Sequence, residues 1–282
     1  MGRCKKNKQL AQERHKKTPE NVTDITDGSV YKGLTKDNNF LNGETNTNLT
    51  AVFNTDGINL YSSSKVELWP LFLVVNELNP CARFARENMI LAEIWQGKGK
   101  PPFKQYLLSF SLALNDLYVN GISLILDNQE TVVKPAVICA TLDLPAKAGT
   151  LNMTLFNGAE SCITCEDPGM TVRQGKGYSR CFPYRTEEEK YVLRTEASVR
   201  SAMENSNERH RIKGFKGLSG LAELKEFHFV NGIPPDYMHG VLLGVTKTLM
   251  YKWFSSTECK KDYFVGNKAQ AYFQTTERYS AS

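Results

Sequence analysis

No apolar run in this chain approaches the roughly 18 residues that a membrane-spanning helix needs. The opening stretch, MGRCKKNKQLAQERHKK, has no hydrophobic segment after its charges, so no secretory signal is expected. Met-Gly begins a myristoylation pattern, but Lys6 stands where Ser or Thr is wanted. Internal repeats, a P-loop and a GxGxxG fingerprint are all missing. The glycines of Gly175-Lys-Gly177 and Gly214-Phe-Lys-Gly217 therefore read as turns. Net charge is also scarce outside the first residues. Seven Lys/Arg face a single Glu in residues 1–17, a balance of +6, against +5 for the whole chain, which leaves −1 for the rest. A basic surface for nucleic acid must then come from local clustering. Arg173, Lys176, Arg180, Lys213 and Lys216 could contact phosphate, though a solvated face accounts for them more simply. Cysteine is sparse as well, with seven residues of which only Cys162 and Cys165 lie close in sequence. In an intracellular chain that usage points to metal rather than disulfides. Without a secretory signal, the sequons at Asn21, Asn48 and Asn152 are read as chance.

What is present describes an ordinary globular protein. Its 282 residues are 41% hydrophobic and 23% charged, enough for one large domain or two small ones with a sizeable core. Residues 1–48 are polar and read as a disordered basic tail and linker. The first part of a core spans 49–157, a Cys-containing insertion with a helical region 158–254, and a tapering segment 255–282. Asp56-Gly57 between Thr50–Thr55 and Ile58–Tyr61 predicts a hairpin. Leu68–Val75 reads as a strand with Pro70 near its beginning or on an edge. Leu107, Phe110, Leu114 and Leu117 give Phe103–Val119 helical spacing that stops at Asn120-Gly121. Ile122–Leu126 and Thr131–Leu142 return to strand, the second starting after Pro135, with Asp143 at its end. Pro145–Phe156 reads as a helix, Gly158–Pro183 as irregular, Glu187–Asn205 as a charged helix and Val241–Phe254 as an apolar helix. The order predicts an α/β or α+β fold, a mixed sheet flanked by helices.

Two constellations could carry chemistry. Asp56 and Asp143 each end a predicted strand, and 87 residues separate them. Carboxylates from neighbouring strands suit Mg²⁺, and two such ions about 4 Å apart serve phosphodiester cleavage. Against this, Asp-Gly is a common turn and an Asp after a strand often caps a helix. Cys162 and Cys165 could share a tetrahedral Zn²⁺, which needs two further ligands. Those on offer are His239, Cys181 and Asp236, with His210 and His228 weaker. Asp236 and His239 are one helical turn apart, which would put them on one side of a helix. The alternative is a pair of unligated thiols in a loop.

The segments FNTDGINLYSSSKVELWPLFLVVNEL, ENMILAEIW, NMTLFNGAESCITCEDPG, GFKGLSGL and PPDYMHGVLLGVTKTL, in this order, resemble the transposase core of CACTA (En/Spm)-type DNA transposons. The resemblance runs from about residue 25 to about residue 254. It implies an RNase H-like fold with a zinc-binding insertion. Asp56 and Asp143 match the first two acids of its DDD/E triad, which would hold Mg²⁺ or Mn²⁺. Cys162 and Cys165 match its C-x-x-C motif, and Asp236 and His239 its D-x-x-H motif. The arrangement is similar to that of the related V(D)J recombinase, whose group holds a structural zinc there, so His239 becomes the best third ligand. The implied partners are double-stranded DNA, as transposon ends and target, with no membrane, self-association into a homo-oligomer, and a nuclear location.

The pattern departs from the family at its third acid, which belongs on a helix after the His motif. Only Glu258, Asp262 and Glu277 are available there, none in an apolar helical context. The expectation is a partial copy without the third carboxylate and with impaired strand cleavage and transfer. The rival expectation is a non-catalytic transposon remnant that acts, if at all, as a DNA-binding or interaction protein.

Overall fold

A computed structural model describes residues 22–42, 47–60, 65–126 and 128–266. The basic run of residues 1–17 and the acid Glu277 lie outside the described residues. The chain divides into two compact units at Pro234.

The first unit is built on a five-stranded mixed sheet. Its strands are β1 (Leu49–Thr55), β2 (Ile58–Asn59), β3 (Val66–Val75), β4 (Ile90–Lys98) and, after the intervening hairpin of β5 (Ile122–Leu126) and β6 (Gln129–Val133), β7 (Pro135–Thr141). β3 pairs antiparallel with β1 and with β4, while β7 lies parallel to β1. A parallel neighbour needs a long crossover. It is supplied by a helix, Phe103–Asn120, together with the β5–β6 hairpin. The expected mixed sheet flanked by helices is what the chain forms.

Alternation along the strands decides which face meets which layer. Ala51, Phe53, Trp69, Leu71, Leu73, Val137, Ala140 and Leu142 share one core with Tyr106, Leu107, Phe110 and Leu114 of the Phe103–Asn120 helix. That helix ends as its sequence predicts. Gly121 has a φ of 74°, open to glycine, and its N–H closes on Leu117 O. Burial pushes the Tyr106 hydroxyl up to about 12, so it stays a neutral donor to Trp69 O at 2.8 Å.

The opposite face is partly covered by a segment expected to be a structureless linker. α1 (Ser29–Leu34) buries Tyr31 and Leu34, with Leu41, against Ala136 and Ile138 of β7. Phe40 stacks on Tyr118 at 5.0 Å. The segment is pinned by an ion pair. Arg83, only 4% exposed within α2 (Pro80–Arg83), grips Asp24 through two bonds of 2.6 and 2.8 Å. It also donates to Asn76 O and Leu78 O. Polar composition hid this order, because a handful of apolar residues and one long-range charge pair suffice to hold 20 or so residues.

With the Phe103–Asn120 helix as α3, the remaining helices are α4 (Leu144–Thr150) and α5 (Glu196–Asn205), both packed into the main core. Pro145–Phe156 is thus helical only to Thr150. The stretch expected to be irregular holds a hairpin, β8 (Met170–Gln174) and β9 (Gly177–Cys181). The helix expected over Glu187–Asn205 is confined to its second half. Lys190–Arg194 is not helical, and Thr195 caps α5 in a capping box with Ser198. In the second unit a π-helix, Tyr237–Thr246, runs into α6 (Lys247–Phe254). No described helix is long and apolar enough to cross a membrane.

Replacing Asp24 with Ala should strand a buried guanidinium and cost about 3 kcal/mol. A urea midpoint unchanged from wild type would show that the Arg83 clamp does not hold the segment.

Candidate functional site

The site begins with one ladder. β1 and β7 run side by side, and their last pair is Asn54 with Thr141. Asn54 Nδ2 donates to Thr141 O at 2.7 Å, tying the two strand ends together. Two residues further along each chain stand Asp56 and Asp143. The 87-residue offset of the final pair is also the offset of the two aspartates, which follow the ends of neighbouring strands.

Asp56 does not sit in a hairpin turn, contrary to expectation. Thr55 pairs with Leu71 and Ile58 with Leu68, so β1 and β2 are two halves of one strand in a single register against β3. The break at Asp56-Gly57 falls opposite Pro70 and Trp69. Pro70 lies inside β3, flanked by β4, and not at a beginning or on an edge. The reason is visible in the ladder. Asn76 N–H donates to Thr50 O, and Val66 O accepts from Leu60 N–H, so even-numbered residues of β3 face β1 and β2. Pro70 would need to donate toward Asp56 and has no N–H. The ladder is interrupted where the carboxylate must leave it. Gly57 completes the break, since a Cβ there would lie 2.6 Å from Trp69 Cζ2. The Trp69 indole is held by a 2.8 Å bond to Glu67 Oε2.

Each carboxylate has one oxygen engaged by the backbone. Asp56 Oδ1 accepts from Gly57 N–H at 2.7 Å. Asp143 caps α4, its Oδ1 accepting from Ala146 N–H at 2.7 Å. Asp56 is exposed and Asp143 half-buried. These bonds fix orientation and leave one oxygen on each acid.

Cys162 and Cys165 lie in a half-buried loop beyond α4. Thr164 N–H points at Cys162 Sγ, 3.4 Å away. Arg194, 4% exposed, holds the loop from behind. Its Nε donates to Cys162 O and Cys165 O at 2.8 and 3.0 Å, and its Nη2 to Glu160 O and Lys213 O. Its guanidinium stacks 5.3 Å from the Phe215 ring centre. Sequence reading overlooked Arg194, because a lone Arg in a charged run gives no signal of burial. Desolvation raises the Cys165 thiol above its ordinary value, helped by the neighbouring Cys162 and opposed by a backbone bond from Asp167. A metal must therefore displace a proton there, which makes binding pH-dependent.

Asp236 and His239 belong to the second unit. Asp236 caps the π-helix, accepting from His239 N–H at 3.1 Å, and its Oδ2 meets His239 Nδ1 at 2.6 Å. The two are thus bonded to each other. The carboxylate orients the imidazole and leaves Nε2 as the ring atom open to a metal. Partial desolvation raises the Asp236 pKa, but the bonds and charge of His239 outweigh it and hold the carboxyl below its ordinary value. Among the described residues no group of three or more His, Cys, Asp or Glu side chains is disposed to hold a metal ion.

Two outcomes follow. Gly57→Ala should displace the Trp69 indole and cost about 1–3 kcal/mol. An unaltered near-ultraviolet dichroism spectrum with unchanged stability would contradict that packing. A carboxyl whose pKa is depressed gives a contact present above the ordinary aspartate range and lost as pH falls through the lowered value. In His239→Ala the Asp236 carboxyl, followed by carbon NMR, should titrate at higher pH than in wild type. Coincident titrations would deny the pair.

Compared with known proteins, residues 21–216 match the transposase family tnp2. No curated protein matches, and neither does any solved structure. The matched span includes Asp56, Asp143, Cys162 and Cys165, and covers more than half of the chain. The two neighbouring strands that lead into Asp56 and Asp143 therefore lie within a family signature, and the chain belongs to the transposase family tnp2.

Proposed function

We propose that this transposase-family chain derives from a CACTA-type nuclease core of RNase H-like design, whose intact relatives cut double-stranded DNA at transposon ends and join them to target DNA, and that its own cleavage is impaired. The observation that supports the reading is the β1–β7 ladder, whose last pair, Asn54 with Thr141, stands two residues before Asp56 and before Asp143. The topology supports it: three antiparallel strands, a helix, then a strand returning parallel to the first.

The donor chemistry fits a hard divalent cation. Asp56 and Asp143 would hold Mg²⁺ or Mn²⁺ through the oxygens that their backbone bonds leave available. Such an ion, when bound, activates water and stabilises the leaving oxygen of a phosphodiester. The chain's own part is positional. The Asn54–Thr141 bond keeps the strand ends together, and the Gly57 and Ala146 amides set the carboxylate planes. The resemblance calls for a third acid on a helix after the His motif, an apolar context in which Glu258, Asp262 and Glu277 do not stand. Where none is supplied, cleavage slows, because positioning and charge stabilisation fail together. The two thiols likewise suit Zn²⁺. The N–H directed at Cys162 Sγ and the Arg194 clamp support a loop prepared for it. A nuclear location and a homo-oligomer go with this reading.

A second reading rests on the same two backbone bonds. If capping is the whole role of Asp56 and Asp143, the chain is a DNA-binding or interaction protein without cleavage.

Nicking of terminal-repeat DNA by purified protein in Mg²⁺ or Mn²⁺ decides between them. Activity should fall at least a hundredfold in Asp56→Asn and Asp143→Asn, both of which keep a capping oxygen. Cleavage that survives either change would rule out the carboxylate site. About one equivalent of zinc should bind per chain and be lost in Cys162→Ser. Folded, zinc-free wild type would end the zinc assignment.

A further inference from the structure

One wall of the first unit opens into a cleft of about 780 Å³, a size suited to a small organic ligand. Its lining is largely apolar, and three of its side chains are aromatic with much of each ring exposed: Phe156 (50%), Phe182 (41%) and Tyr191 (39%). Leu144 forms another part of the wall, and it directly follows Asp143. Pairing between 164–166 and 192–194 holds two of the bounding segments together. The cleft also carries positive charge. Arg185 lies 5.2 Å from the Tyr191 ring centre, and only its Nε is engaged, with Asp167 Oδ2 at 3.4 Å. Lys190 stands at the rim beside Glu187.

Exposed rings lose to water unless something flat covers them, and a guanidinium over one ring leaves its Nη groups for an anion. A flat apolar body attached to an anion describes a nucleotide. Family membership makes DNA the substrate at hand, and Leu144 joins the cleft to the acid that would face the scissile phosphate.

We propose that this cleft receives a single unstacked nucleobase of a DNA end, between Phe156, Phe182 and Tyr191, with Arg185 on the adjoining phosphate. The proposal rests on the nuclease reading for its orientation beside Asp143, but the binding it describes needs no cleavage. Taking a base out of a duplex costs a few kcal/mol, least where the base is already unpaired. The cleft would then favour DNA ends carrying an unpaired nucleotide.

The cleft is also lined by Cys162 and Cys165, so the test uses the full chain with its zinc retained but without added Mg²⁺ or Mn²⁺, and two fluorescein-labelled duplexes, one with a single extrahelical thymidine and one with an abasic residue at that position. Aromatic stacking of one base corresponds to roughly fivefold to a hundredfold in affinity, so anisotropy should show at least fivefold tighter binding of the thymidine duplex. The double variant Phe156→Ala/Tyr191→Ala should reduce the ratio to one while still binding fully paired DNA, and Tyr191→Phe should keep it. With 5-iododeoxyuridine at the extrahelical position, wild type should photocrosslink at Phe156, Phe182 or Tyr191, a readout that needs no variant to fold. Equal binding of the two duplexes, or crosslinks elsewhere, overturns the proposal. So does a double variant that loses self-association but keeps the base preference, which would assign the cleft to a second copy of the chain. Asp56→Asn separates the two claims. A preference that persists where nicking is absent from all proteins rejects only the nuclease reading.

Discussion

The parallel pairing of β1 with β7 is the constraint from which the rest of the first unit follows. Antiparallel neighbours can be joined by a turn, but this pair requires the chain to leave the sheet and come back in the same direction. α3 makes that crossing and, in doing so, supplies the apolar face that closes the core over Phe53, Leu71 and Ala140. The other side of β7 then needs its own cover, which α1 provides through Tyr31 and Leu34. Both layers exist because one strand is inserted beside another, and the same insertion brings two carboxylates to one edge.

Much of this was legible in the residues, and the exceptions have physical causes. The period of Leu107, Phe110 and Leu114 and the Gly121 stop announced α3, because a long helix with one buried face leaves a clear pattern. Asp56 and Asp143 were legible as strand-end acids. The parallel pairing of the two strands they follow was not, since pairing across 87 residues leaves no local trace. Asp-Gly was misread as a hairpin, because the dipeptide reports a break in a strand without saying which strand returns. Pro70 was placed at a margin by the ordinary rule for proline in sheets, yet it occupies an interior strand at the point where a donor is not wanted. The hairpin β8–β9 escaped notice because its strands are short and mostly exposed, so the brief alternation of Met170 to Arg173 has no buried face to mark it.

The candidate site residues share a manner of support. Each is fixed by bonds of its own neighbourhood before any ligand arrives: the aspartates by backbone amides, the thiol loop by Arg194, and His239 by Asp236. Only Arg194 does so from within the core, where four carbonyl oxygens meet one guanidinium. A buried cation of that kind is costly to desolvate and is stable only while all its acceptors remain. The conformation of the Cys162–Cys165 loop is thereby coupled to Phe215 and Lys213, residues distant in sequence that share no chemistry with it.

The β5–β6 hairpin lies inside the crossover and outside the five-stranded sheet, and leaves Ile125 largely uncovered. Nothing in the alignment of β1 against β7 depends on how many residues that excursion contains, because strand pairing is set by the ladder alone. Lengthening or trimming it would change loop entropy only logarithmically and leave the acidic edge where it is. The excursion is therefore the part of the first unit best able to diverge, acquiring new sequence while the geometry beside it stays constant.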